Sequence, residues 1–147
     1  MFDADALFHI THNKDDIELV KEIQQKTNSV ILTPNIIEFK RIWEVNHKED
    51  LPSAKDELAV YQSEESPLTT IDVTHPIVAP VAMLSREFNN ARIIRKGLCD
   101  IITDGERALL VRQQGSLKRP GGIGDVLAGT IATFGQYTYS TADLPEL

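Results

Sequence analysis

At 147 residues and 41% hydrophobic content, the chain is long enough to bury a core and form one globular α/β-sized domain spanning 1–147. A net charge of −7 and a pI near 5.0 argue against a nucleic-acid or acidic-membrane partner, so any phosphate-bearing ligand must be held by local donors. Cys99 is the only cysteine, which excludes an internal disulfide and fits a reducing compartment.

In chain order, Met1 to Ala4 reads as the tail of a strand, too acidic at Met1–Leu7 for a secretory signal. Ile17, Leu19, Val20 and Ile23 recur at helical spacing and predict a helix from Asp15 to about Lys26. Ser29 to Thr33 is a short β-branched run, expected as a buried strand. Thr33 then serves as cap and Pro34 as first helical residue of a helix to about Val45. Lys48 to Tyr61 is expected as a helix broken at Pro52, and Gln62 to Pro80, rich in Ser, Thr and Pro, as a loop. Val81 to Asn89 follows as a helix and Ala91 to Lys96 as a strand ended by Gly97. Asp100–Thr103 and Ala108–Val111 flank Asp104-Gly105, a hairpin turn signal. A glycine-rich loop leads into a final helix through about Tyr137. Strands alternating with helices, plus one hairpin, predict an α/β domain with a largely parallel sheet. No apolar run approaches the roughly 20 residues that cross a bilayer.

The loop is the segment richest in chemistry. Gly115, Gly121, Gly122 and Gly124 are four of the eight glycines, set among Lys118 and Arg119 and ending on Asp125. Glycine lets backbone approach a ligand closely, and a helix N-terminus just beyond offers unpaired N–H groups to a phosphate. A carboxylate at that point would repel phosphate, which points to phosphoryl transfer to a hydroxyl, with Asp125 taking the proton. The loop is neither a Walker loop, since no Gly-Lys-Ser/Thr follows, nor a Rossmann fingerprint, since no strand runs directly into it. Its bland reading is a flexible turn with solvated Lys118 and Arg119.

Asn35, Glu38 and Arg41 share the first turns of a helix after a strand, at the sheet edge where open α/β folds bind ligands. The spacing fits as well a capped helix with Glu38 and Arg41 as a surface pair. Lys96 to Asp100 taken alone is a plain turn. His9 and His12 lack a third ligand nearby, Trp43 reads as a core residue, and Cys99 has no neighbouring base to activate it.

Three segments together resemble the ATP-dependent NAD(P)H-hydrate dehydratases of the ribokinase-like superfamily: Thr33–Ile42, Lys96–Ile101 and Gly115–Gly129. Their order and spacing match, and Asp3–Leu7 is similar to the family's upstream strand-end motif. The resemblance implies a three-layer α/β/α fold with a mostly parallel sheet, and a repair reaction in which ATP restores hydrated NADH or NADPH (the S form). It implies substrate contacts from Asn35, Ile36, Ile37, Glu38, Phe39, Lys40 and Arg41. ATP contacts would come from Lys96, Gly97, Leu98, Cys99 and Asp100 and from Gly115, Ser116, Leu117, Lys118, Arg119, Pro120, Gly121, Gly122, Ile123 and Gly124. Asp125 would touch the ring hydroxyl as base, with Mg2+ on the ATP phosphates and no protein-held metal. The Thr-Pro-Asn form resembles the ATP-using eukaryotic branch rather than the ADP-using one.

The sequence departs from the family at Pro120 and Ile123 and in the Pro67 to Pro80 segment. The resemblance also implies further strands before Asp3 and more chain after Tyr137, so a truncated member, incomplete on the N-terminal side of the domain, is expected. An exposed sheet edge in such a chain favours association into a homo-oligomer. The expected location is cytoplasmic, or mitochondrial if a targeting segment precedes Met1. Two competing readings are a ribokinase-like kinase of a small vitamin or sugar, and a non-catalytic remnant that binds nucleotide or a partner subunit.

Overall fold

The structure is a computed structural model that describes residues 1–48, 51, 57–62, 66–113, 115 and 121–141. Two compact units divide the chain, Phe2–Gln114 and Gly115–Leu147 together with Met1. Each is treated by itself.

In the larger unit, α1 (Asp5–His12) buries Leu7 and Ile10. Helix α2 (Lys14–Thr27) starts at Asn13, whose side chain accepts from Asp15 N, and ends at Asn28 in the left-handed region with φ 47°. It buries Ile17, Val20 and Gln24, whereas Leu19 faces outward at 54% exposure. The buried Gln24 is satisfied: its Oε1 accepts from Val30 N at 2.9 Å, and its Nε2 donates to Asn89 O at 3.2 Å. That side chain ties the end of α2 to the start of β1 (Ile31–Leu32). Helix α3 (Ile36–His47) buries Phe39, Ile42 and Trp43 at helical spacing and packs against α1. A short α4 (Glu57–Tyr61) follows; the expected break at Pro52 lies outside the described residues.

The segment expected as a loop from Gln62 to Pro80 contains a strand, β2 (Leu68–Ile71). Thr69, Thr70 and Ile71 are β-branched and suit a half-exposed edge, and this strand pairs antiparallel with β5. Helix α5 (Ala79–Glu87) buries Val81, Ala82, Leu84 and Ser85, and the Ser85 hydroxyl donates to Ala91 O at 2.6 Å. Strands β3 (Arg92–Arg95), β4 (Asp100–Thr103) and β5 (Ala108–Val111) then form a meander under α5.

The sheet order is β1-β3-β4-β5-β2. The α/β class is as expected, but the largely parallel sheet is not what these residues form. Only β1 and β3 pair in parallel among the strands, and the other three pairings are antiparallel. The reason is connection length: β3, β4 and β5 are joined by turns too short for the crossover that parallel neighbours need. A parallel region survives at one edge, where Phe2 bridges Leu32 and Asn35 bridges Lys96.

In the smaller unit, α6 (Ile123–Thr141) begins after Gly122, whose φ of 85° lies in the left-handed region that glycine adopts without penalty. Thr130 and Thr133 return their hydroxyls to Val126 O and Gly129 O one turn back. No helix among the described residues is long and apolar enough to cross a membrane.

Candidate functional site

Phe2, β1 and β3 run side by side and parallel, so their carboxyl ends meet at one edge of the sheet. Those ends carry Asp3, Thr33 and Lys96. Thr33 N donates to Phe2 O at 3.1 Å and Lys96 N to Pro34 O at 2.8 Å, which fixes the three backbones. Asp3 Oδ1 accepts from both Lys96 Nζ and Thr33 Oγ1 at 2.8 Å. Burial raises the pKa of the Asp3 carboxyl, but the hydrogen bonds from Lys96 and Thr33 and the lysine charge outweigh it, leaving a net downward shift. The node is therefore an ionised carboxylate with a lysine locked onto it.

The Asn35–Arg41 segment, expected to act together, divides its tasks. Thr33 is not the cap of α3; Asn35 is. Its Oδ1 accepts from Ile37 N at 2.9 Å and Glu38 N at 3.0 Å, while Asn35 N donates to Glu38 Oε2 at 2.8 Å. This capping box turns the Glu38 carboxylate back toward the helix start rather than toward Arg41. Lys40 pairs with Glu44 at 3.4 Å. Phe39 points inward and is 1% exposed, lining an apolar recess with Ile36, Ile77, Pro80 and Val81. Ile37 is exposed, and Arg41 borders an open depression shared with Phe8, Thr11 and His12. His12 itself lies on its own helix, its Nδ1 2.7 Å from Phe8 O.

The Lys96–Asp100 loop is more than a plain turn. Gly97 N donates to Asp100 Oδ1 at 2.9 Å, while Leu98 N and Cys99 N both donate to Glu57 Oε1 at 3.1 Å. Arg95 closes the cluster: its Nη1 and Nη2 donate to the two Glu57 oxygens at 3.2 and 3.1 Å, and Nη2 also donates to Cys99 O. A Cβ on Gly97 would lie 2.6 Å from Arg95 Nη1 and 2.7 Å from Glu57 Oε1, so only glycine lets the loop approach this pair so closely. Cys99 is fully buried, and burial followed by the Glu57 charge pushes its thiol pKa up, in keeping with an unreactive side chain. Leu98 remains 46% exposed.

Neither Glu57 nor Arg95 was among the expected site residues. One signal existed: β3 alternates so that Ile93 and Arg95 share the inward face, and an inward arginine requires a buried acid. Nothing local to residues 48–61 says that Glu57 is that acid.

Of the glycine-rich loop, Ser116, Leu117, Lys118, Arg119 and Pro120 lie outside the described residues, and Gly115 is exposed. Asp125 is exposed in the first turn of α6, which begins three residues earlier than a helix starting after the carboxylate. Gly121 and Gly122 precede the helix directly, and Val126 N donates back to Gly122 O at 3.1 Å. The carboxylate thus sits beside the glycine pair, in the turn whose leading N–H groups lack helical partners.

The sequence pattern of the NAD(P)H-hydrate dehydratase family matches residues 1–143. Among curated relatives, the ATP-dependent (S)-NAD(P)H-hydrate dehydratase of Ixodes scapularis is 33% identical over 97% of this chain and 37% of its own length. The protein of the same name from Schizosaccharomyces pombe is 35% identical over 91% of the chain and 31% of its own length, and that of Ciona intestinalis 30% over 99% and 33%. The chain therefore spans about a third of the length of these relatives. Matched over nearly all its residues, it belongs to the NAD(P)H-hydrate dehydratase family, whose fold is ribokinase-like.

Proposed function

We propose that the protein contributes to the ATP-dependent dehydration of hydrated NADH or NADPH in the S form. The observation that carries this reading is the parallel bridge between Asn35 and Lys96, which joins the segment read as substrate-binding to the one read as nucleotide-binding. The names of the relatives supply the reaction and the nucleotide. The ring hydroxyl attacks the terminal phosphorus of ATP, an O–P bond forms, and the bond to ADP breaks while the hydroxyl proton passes to Asp125. Inorganic phosphate then leaves with cleavage of the ester's C–O bond, the neighbouring ring carbon gives up a proton to water or the departing phosphate, and the ring double bond is restored.

In this reading, Asn35 to Arg41 meet the hydrated dinucleotide, chiefly through the exposed Ile36, Ile37 and Arg41. Lys96 to Asp100 and Gly115 to Gly124 meet ATP, with amides near Gly121 to Gly124 stabilising charge on the transferred group. Magnesium enters as an ion carried on ATP's phosphates with water, which needs only one or two carboxylates. The buried, free Cys99 suits a reducing compartment, and we read the location as cytoplasmic.

The test is restoration of reduced-nicotinamide absorbance from hydrated NADH on addition of ATP, with wild type and Asp125→Asn. Turnover by the wild type, lost in the variant while ATP still raises its melting temperature, is the expected result. Undiminished turnover in Asp125→Asn removes Asp125 from the base role. ATP stabilisation of the wild type without absorbance recovery marks a nucleotide binder. ATP consumption driven instead by a vitamin or sugar marks a small-molecule kinase.

A further inference from the structure

Among the described residues, Glu57 is the acidic side chain that reaches the backbone amides of the Lys96–Asp100 loop from another part of the chain, 41 and 42 residues before the amides it holds. Its carboxylate takes four N–H groups, two from the loop backbone and two from Arg95. The Glu57 and Arg95 side chains are 11% and 6% exposed, so water is a poor substitute for either partner. With Gly97 N on Asp100, every amide from 97 to 99 is engaged by an internal carboxylate, and Gly97 has no room for a side chain. The loop's shape is therefore set from α4 together with its own Gly97 and Asp100.

We propose that Glu57 is a positioning residue for nucleotide binding: acting through the Leu98 and Cys99 amides, it holds the Lys96–Asp100 loop in its binding shape. This rests on the reading of that loop as a nucleotide contact. Glutamine at position 57 keeps one carbonyl oxygen for the amides but turns an NH2 group toward the Arg95 guanidinium, so donors face donors. The loop then loosens while the sheet beneath it stays in place.

The experiment compares wild type, Glu57→Gln and a remote core variant, Ile17→Val, which lowers stability without touching the loop. Three quantities are read: ATP affinity by calorimetry, melting temperature, and the rate at which Cys99, the only thiol, reacts with an aromatic disulfide reagent. Glu57→Gln should weaken ATP binding and speed the Cys99 reaction by about tenfold each, the size of effect expected when a buried charge loses its partner. Ile17→Val should keep wild-type values of both at a comparable melting temperature. Equal ATP affinity in wild type and Glu57→Gln, or equal thiol rates, overturns the proposal alone. No ATP binding by the wild type overturns the nucleotide reading and the proposal with it. Should Glu57→Gln not fold, amide exchange in the wild type decides: Leu98 and Cys99 N–H protected like those of β3 uphold the contact, and rapid exchange overturns it.

Discussion

Asp3 couples three backbones through one carboxylate. It accepts from Lys96 and Thr33, and these partners outweigh its burial, so its ionised form is favoured more strongly in the fold than in the unfolded chain. Because the folded pKa lies below the unfolded one, Asp3 contributes stability that is complete above the unfolded value, near pH 4, and that disappears as pH falls through the folded value. Asp3→Asn removes that contribution and leaves Lys96 partly buried without its carboxylate. The expected outcome is a loss of about 1–3 kcal/mol at neutral pH. The variant's stability should also fall less steeply than the wild type's below about pH 4. Urea unfolding at several pH values measures both, and parallel acid limbs for the two proteins would refute the role. Glu57 shows a different use of a carboxylate. Its partners are two backbone amides of one loop and the Arg95 guanidinium beneath it, so its loss acts on the shape of that loop first.

At the scale of elements, α3 shows how one sequence signal carries two meanings. Asn35 and Glu38 stand where a ligand-binding edge is expected, and the same pair closes a capping box that starts the helix. Asn35→Ala should cost about 1 kcal/mol, within the 0.5–2 kcal/mol usual for a lost cap. Glu38→Gln keeps an oxygen for Asn35 N and should stay close to wild type, whereas Glu38→Ala should lose a few tenths of a kcal/mol or more. Thermal unfolding of the three variants orders them, and an Asn35→Ala protein as stable as wild type would contradict the cap. Helices α2, α3 and α5 and the hairpin of β4 and β5 were legible because local periodicity and turn residues determine them. Strand β2 was not, since its evidence is the antiparallel partner β5 and the Arg112 side chain that donates to Ser66 O and Thr69 Oγ1. The sheet's mixed direction was equally hidden, because alternating helices and strands fix the class but not which strands become neighbours. In the site, the Asp3–Lys96 pair joins two segments 93 residues apart, and no local sequence signal announces it.

For the whole molecule, charge sets how a polyanionic nucleotide can arrive. The net charge is −7, and the cations nearest the sheet edge are already committed: Lys96 to Asp3 at 2.8 Å and Arg95 to Glu57 at 3.1 Å. A net charge of this sign gives no broad positive field to draw ATP in from a distance; in the function proposed above, capture would depend on short-range donors, Lys118 and Arg119 of the glycine-rich segment among them. Salt then acts mainly on long-range repulsion. Raising ionic strength from about 10 mM to about 150 mM shortens the screening length from about 30 Å to about 8 Å. Nucleotide association measured by stopped flow should therefore keep its rate or quicken across that range. A steep fall, the signature of steering by a basic surface, would show that the acidic net charge conceals a strong local positive field. Because repulsion and short-range capture respond differently to screening, the dissociation rate should rise modestly over the same range. The two rates measured together separate the field of the whole molecule from the grip of its loops.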